Sequence, residues 1–163
     1  MALSTKTQAA VQGIIEQLDL LPHPEGGFYK EVYRSAEQIH EKNRDLLTSI
    51  YFLLTSDHVS KFHRIKSDEI WYFHAGSPLH VHTLSAQGHL THVIGNQLHL
   101  NQKPQFTVSG NTIFGSTVAE EDAFSLVSCA VAPGFDFRDF ELFDFKALIS
   151  LYPAEQEIIS RLT

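Results

Sequence analysis

The chain has 163 residues, 43% of them hydrophobic and 19% charged, a globular composition long enough to bury a core in one domain. Twelve basic against 19 acidic residues give a formal charge of −7 and no basic run, which argues against nucleic acid as a partner. No stretch approaches the ~20 apolar residues of a membrane span, and one cysteine, Cys129, cannot form an intrachain disulfide, so a cytoplasmic protein is expected.

Residues 5 to 20 carry Ala9, Val11, Ile14, Ile15, Leu18 and Leu20 at spacings of mostly three and four, which predicts a short amphipathic helix. Leu21-Pro22-His23-Pro24-Glu25-Gly26-Gly27 breaks it with two prolines and two glycines. Phe28 to Ser35 alternates as a strand, and residues 36 to 46 read as a polar loop. From Leu47 the chain reads as strand after strand: 49–55, 59–65, 69–74, 79–84, 89–94, 97–100, 105–109, 112–118 and 124–131. Turn residues punctuate them at intervals of about 8 to 12, the mark of an antiparallel sandwich or barrel. A dense aromatic run follows (Phe135, Phe137, Phe140, Phe143, Phe145), expected to close the barrel mouth or pack on a second subunit. A last helix is predicted from Pro153 to Leu162, with proline in the first turn.

The block from Ser60 to Gly76 concentrates the chemistry. Residues two apart in a strand share a face, so His63 and Ile65 point one way, and Glu69, Trp71 and Phe73 share a face of the next strand. If both faces look inward, His63 meets Glu69 in a pocket walled by Ile65, Trp71 and Phe73. His63 would then be a general base, and Glu69 would orient the imidazole and hold its charge.

These residues resemble the first motif of the cupins, small jelly-roll barrels. His63, Glu69 and Gly76 match its first histidine, glutamate and glycine, and Ile65 stands where the second histidine would be. In the best match to the second motif, Val108 to Phe114, Phe114 stands in place of the histidine. The runs His23-Pro24-Glu25-Gly26-Gly27-Phe28-Tyr29, Phe62-His63-Arg64, Asp68-Glu69-Ile70-Trp71 and Ala132-Pro133-Gly134-Phe135-Asp136-Phe137 look like the uncharacterised cupin_5 branch. The resemblance implies an all-β jelly-roll barrel (the cupin double-stranded β-helix) with short terminal helices, a homodimer, and no established activity.

Three functions are compatible with this reading. The first is a metal-independent cupin that binds a small polar, carbohydrate-like metabolite, with isomerase or epimerase chemistry. The second is a metal-dependent oxygenase or hydrolase, in which a divalent metal would take His63 and Glu69 as ligands. The third is a non-catalytic ligand-binding or sensor module. His23 and Glu25, in the Pro/Gly turn, are candidate pocket residues. Arg34 is a candidate clamp for an anionic group, Lys61 a candidate to steady an oxyanion, and Trp71 and Phe73 candidate pocket walls. Ten histidines are many for this length. His80 and His82 share a strand face but are expected to look away from the apolar side, and His89, His92 and His99 are expected to be solvated. Cys129 is expected to be a buried small hydrophobe.

Overall fold

The computed structural model describes residues 2–163. In chain order its elements are α1 (Thr5–Leu18), β1 (Leu21–Pro22), β2 (Phe28–Arg34), β3 (Gln38–Ile39), β4 (Arg44–Asp45), β5 (Thr48–Thr55), β6 (Ser60–Arg64), β7 (Asp68–Gly76), β8 (Leu79–Ser85), β9 (Gly88–Ile94), β10 (Gln105–Val108), β11 (Ile113–Val118), β12 (Phe124–Ala132), β13 (Glu141–Leu142), α2 (Phe145–Leu151) and α3 (Gln156–Arg161). One sheet has the order β1-β2-β5-β12-β7-β10 and the other β13-β6-β11-β8-β9, every pairing between their strands being antiparallel. β3 and β4 form a separate ribbon.

The strands alternate, and this builds three apolar layers. Between the sheets lie Phe52, Leu54, Trp71, Leu79, Val81, Ile94, Phe114 and Val127, each at most 1% exposed. Outside the first sheet α1 lays Val11 against Leu20 and Leu53. Outside the second sheet α2 and α3 pack Leu148, Ile159 and Leu162 on Phe62, Leu84 and Ile113. Gly115 makes that close packing feasible, since a side-chain carbon there would come 2.8 Å from Leu162 Cδ2.

The structure corrects the expected elements at three places, the first being residues 36–46, expected as a loop, which hold the β3–β4 ribbon. Residues 97–100 form a 3-10 turn (Leu98–Leu100), not a strand. Leu98 and Leu100 are both exposed there, so alternation has no core face to bury, and Asn101 ends the segment at a positive φ of 59°. The aromatic tail contains the helix α2. Its cap is Asp144, whose carboxylate accepts a hydrogen bond from Ala147 N at 2.8 Å. The spacing of Phe145, Leu148, Ile149 and Tyr152 is helical, but the density of aromatic residues hides it.

The histidines on β8 and β9 depart from expectation in part. His80 and His82 do turn away from the lumen, but the C-terminal segment shares their side of the sheet and His82 is only 4% exposed. Its Nδ1 lies 3.0 Å from His89 Nε2, and its Nε2 lies 3.0 Å from Thr117 Oγ1. Burial, followed by the neighbouring imidazoles and Arg161, pushes the His82 pKa down to about 3. His92 stacks on Phe106 with ring centroids 4.0 Å apart. Of the three histidines expected to be solvated, His99 is exposed, whereas His89 and His92 are half-buried.

Candidate functional site

A cavity of about 480 Å³ opens between the sheets, a size suited to a metabolite. Its floor comes from four neighbouring strands of the first sheet. Register places Glu69 opposite Val131 on β7 and β12, and Arg34 opposite Thr48 and Glu31 opposite Ile50 on β2 and β5. All six side chains line the cavity. His63 and Ile65 close it from β6 and just beyond it, His23 and Glu25 from the turn before β2, and Phe135, Phe137 and Phe140 from the segment after β12.

Of the residues singled out in the sequence, His23, Glu25, Arg34, His63 and Glu69 reach this cavity, and Lys61, Trp71 and Phe73 do not line it. Trp71 does share the inward face with Glu69, but it lies deeper. It is 1% exposed and meets Phe52 and Phe114 edge-on at 5.9 and 6.2 Å. Phe73, two residues further on, packs against the same core.

Lys61 is displaced by a bulge in β6. Phe114 pairs with His63 and Ser116 with Ser60, so three steps on β6 match two on β11. The extra residue breaks alternation and brings Ser60, not Lys61, to the face of His63. Ser60 Oγ donates to Glu25 Oε1 at 2.9 Å. The Lys61 backbone carries the contacts: its N–H donates to Glu25 O at 2.8 Å, and its carbonyl accepts from His63 Nδ1 at 2.7 Å.

The expected carboxylate partner of His63 also changes. His63 Nε2 lies 3.0 Å from Glu25 Oε2. Glu69, carried by the other sheet, acts on His63 through its charge. The two strand residues line one cavity as expected, His63 from the second sheet and Glu69 from the first, but the preceding turn brings Glu25 to the imidazole edge. That insertion depends on the His23–Gly27 turn, closed by His23 N donating to Gly27 O and Gly26 N to His23 O, both at 3.0 Å. His23 Nδ1 accepts from Glu25 N at 3.2 Å.

Electrostatics follows from burial. His63 is 2% exposed and Glu25 6%. Desolvation pushes the Glu25 pKa up, with His23 and Ser60 opposing, and pushes the His63 pKa down, with Glu69 and the Lys61 carbonyl opposing. Both shifts favour neutral groups. Because Nδ1–H is committed to Lys61 O, Nε2 is the ring nitrogen left facing Glu25 Oε2. Glu69 is pushed up to about 7, first by burial, then by the negative charge of Glu25, with His63 and the Cys129 thiol lowering it.

Arg34 does not offer a free clamp. Its Nε and Nη2 donate to the Glu31 carboxylate at 2.8 and 2.7 Å, and its Nη1 donates to Asp45 at 2.5 Å. Cys129, 1% exposed, has its thiol pKa pushed well up by burial and then by Glu69. A disulfide-based thiol reagent is therefore expected to label the native protein at least about 1000-fold more slowly than the unfolded chain. Comparable rates with and without denaturant would contradict this burial.

A match to a family model covers residues 12–143, and that family is described as Cupin_5, Cupin superfamily (DUF985). The chain belongs to the Cupin_5 family. The fold is the jelly-roll implied by its motifs, with short terminal helices. A protein from Shewanella oneidensis is 44% identical with a TM-score of 0.88, the match covering 93% of this chain and 96% of that one. A hypothetical protein from Leishmania major is 40% identical with a TM-score of 0.88, over 93% and 97%. An uncharacterized protein of Saccharomyces cerevisiae is 27% identical over 80% of this chain and 74% of its own length. Oxalate decarboxylase from Bacillus subtilis is 14% identical with a TM-score of 0.55, over 87% and 36%, a likeness of fold alone.

The donor set of this cupin does not fit a resident metal ion. Ile65 and Phe114 occupy the positions of two motif histidines, and the Phe114 ring packs 4.2 Å from His63. Both ring nitrogens of His63 are engaged by protein groups. Among the described residues no three His, Cys, Asp or Glu side chains are grouped to hold a metal.

Proposed function

We propose that the cavity binds a small polar metabolite and moves a proton at a carbon next to a carbonyl, the chemistry of an isomerase or epimerase. The observation that carries this reading is the buried Glu25–His63 pair, 3.0 Å apart on the cavity wall. A proton held between two neutral-leaning groups inside a low-dielectric cavity transfers with little reorganisation. The Lys61 carbonyl fixes Nδ1 as the permanent donor, leaving Nε2 and Oε2 as the atoms that exchange protons. Ser60 holds the other oxygen of Glu25, so the carboxyl keeps its orientation as its charge changes. His23 borders the same carboxyl at 3.7 Å and extends the wall.

The test is deuterium uptake from heavy water. Small 2-hydroxy aldehydes and ketones, aldoses and ketoses would be incubated with the protein and followed by proton NMR. Enzyme-dependent exchange is expected at the carbon beside the carbonyl. The near-isosteric change Glu25→Gln, which removes the shared proton, should slow it by at least about 100-fold. Exchange unaffected by Glu25→Gln would discard the pair as the reactive unit. A compound that raises the melting temperature yet returns without label would assign the cavity to binding alone.

A further inference from the structure

The side chains that line the cavity carry unequal charge. Four carboxylates, Glu25, Glu31, Glu69 and Asp136, face one guanidinium, that of Arg34. Most of these charges are already matched. Glu31 takes two donors of Arg34, and Asp136 is paired with Arg138 at 2.7 Å. Glu25 lies 3.0 Å from His63 Nε2. Glu69 differs: among the described residues it enters no ion pair, and its polar neighbour is the uncharged Cys129 thiol. It is 8% exposed, so it lacks both a cationic partner and the bulk water that would replace one.

Part of the cavity lining is aromatic. Phe135, Phe137 and Phe140 lie with centroids 4.9, 6.0 and 6.3 Å apart and interplanar angles of 82, 71 and 67°, a corner of three mutually steep rings. Phe140 also leans on His63 at 5.4 Å, which ties this corner to the acidic wall. A cavity lined by both a carboxylate and aromatic rings suits an organic cation, because both the charge and the ring quadrupoles attract it. An anion would meet only Arg34, whose donors are taken by Glu31, Asp45 and the Phe135 carbonyl.

We propose that the ligand of this cavity carries a protonated amine, seated between the Glu69 carboxylate and the corner formed by Phe135, Phe137 and Phe140, and that phosphorylated or carboxylated compounds are excluded. This names the substrate class of the site proposed above and rests on that reading for the cavity being the binding site. The groups that face Glu69 are Glu25, His63 and Cys129, and none of them supplies the missing countercharge at neutral pH. An arriving ammonium stabilises the ionised carboxylate, so binding near pH 6.5 is accompanied by proton release.

Trp71, the single tryptophan, lies two residues from Glu69 on the same face of β7 and is a built-in reporter. Its fluorescence and the melting temperature would be followed with glucosamine, galactosamine and ethanolamine. The neutral references are glucose, galactose and N-acetylglucosamine, and glucose 6-phosphate is the anion. At least one amine should bind about tenfold more tightly than its neutral counterpart, and glucose 6-phosphate should bind most weakly. Calorimetry in two buffers of different ionisation enthalpy should show a proton released. Glu69→Gln should bring the ratio of amine to neutral affinity close to one and abolish the proton release.

Equal affinities, tightest binding of the phosphate, an unchanged ratio in Glu69→Gln, or no response to any amine up to about 10 mM would each overturn the assignment. Deuterium exchange on neutral sugars without amine preference would sink this inference and leave the proton-transfer reading intact. Amine preference without exchange would do the reverse.

Discussion

Glu69→Gln is expected to stabilise the protein, and the gain should grow with pH. The carboxyl has an ordinary value of 4.5 and is raised to about 7 in the fold, chiefly by burial. Between these values the folded state holds more protons than the unfolded one, so the stability tied to Glu69 is fully present below about pH 4.5 and is lost as pH rises through about 7. A shift of this size corresponds to roughly 3 kcal/mol. The fully buried position needs no discount for solvent screening, and the neutral amide keeps an acceptor for the Cys129 thiol. Urea denaturation of both proteins at pH 4 and pH 8 measures the effect. The two should be close at pH 4, and Glu69→Gln should be more stable by about 3 kcal/mol at pH 8. An equal offset at both pH values would show that the carboxyl is not ionising against burial. The same result would explain why a destabilising group is retained: in the proposed site Glu69 is held ready for a charge that the ligand brings.

Gly26→Ala is expected to have the largest destabilising effect near the site. Gly26 adopts φ +112°, a conformation that L side chains rarely take, and an added carbon would stand 2.0 Å from the carbonyl oxygen of Val59. That neighbour is backbone at the entrance to β6, so neither side yields without moving the strand that carries Ser60 and His63. Strain and overpacking together should cost on the order of 3 kcal/mol or more. Gly13→Ala provides the contrast. Gly13 lies within α1 with nothing within 4 Å of an added carbon, and alanine there should stabilise by roughly 0.5–1 kcal/mol. Denaturation midpoints that move in the same direction for both variants would refute the steric explanation. Gly26→Ala should also separate Glu25 from His63, so any deuterium exchange should be lost with the stability.

Much of the strand order was legible because alternation and turn residues are local signals. β5, β7, β8 and β12 run within two residues of the stretches predicted for them. His63 and Glu69 reach one cavity for the same reason, since each sits on the inward phase of a strand. The partner of His63 was not legible. Glu25 lies 38 positions earlier, in a turn whose folding back onto β6 depends on a hydrogen bond from Lys61 N to Glu25 O. The exchange of Lys61 for Ser60 was hidden too, because a one-residue bulge leaves no mark in composition and reverses the alternation before it. Trp71 and Phe73 show a further limit. Periodicity reports the face of a strand but not the depth along it, and depth separates cavity wall from packed core.

The amino-acid sequence alone determined the family, the β-rich architecture, the place of the histidine-bearing strand, and the loss of two motif histidines to Ile65 and Phe114. These are properties of neighbouring residues and of short patterns, and they survive without knowledge of what folds against them. Tertiary structure alone decided that Glu25 lies beside His63, that Arg34 is consumed by Glu31 and Asp45, and that Glu69 is left without a countercharge. The reason is physical: ionisation depends on distance and burial in three dimensions, and both are set by segments far apart in the chain.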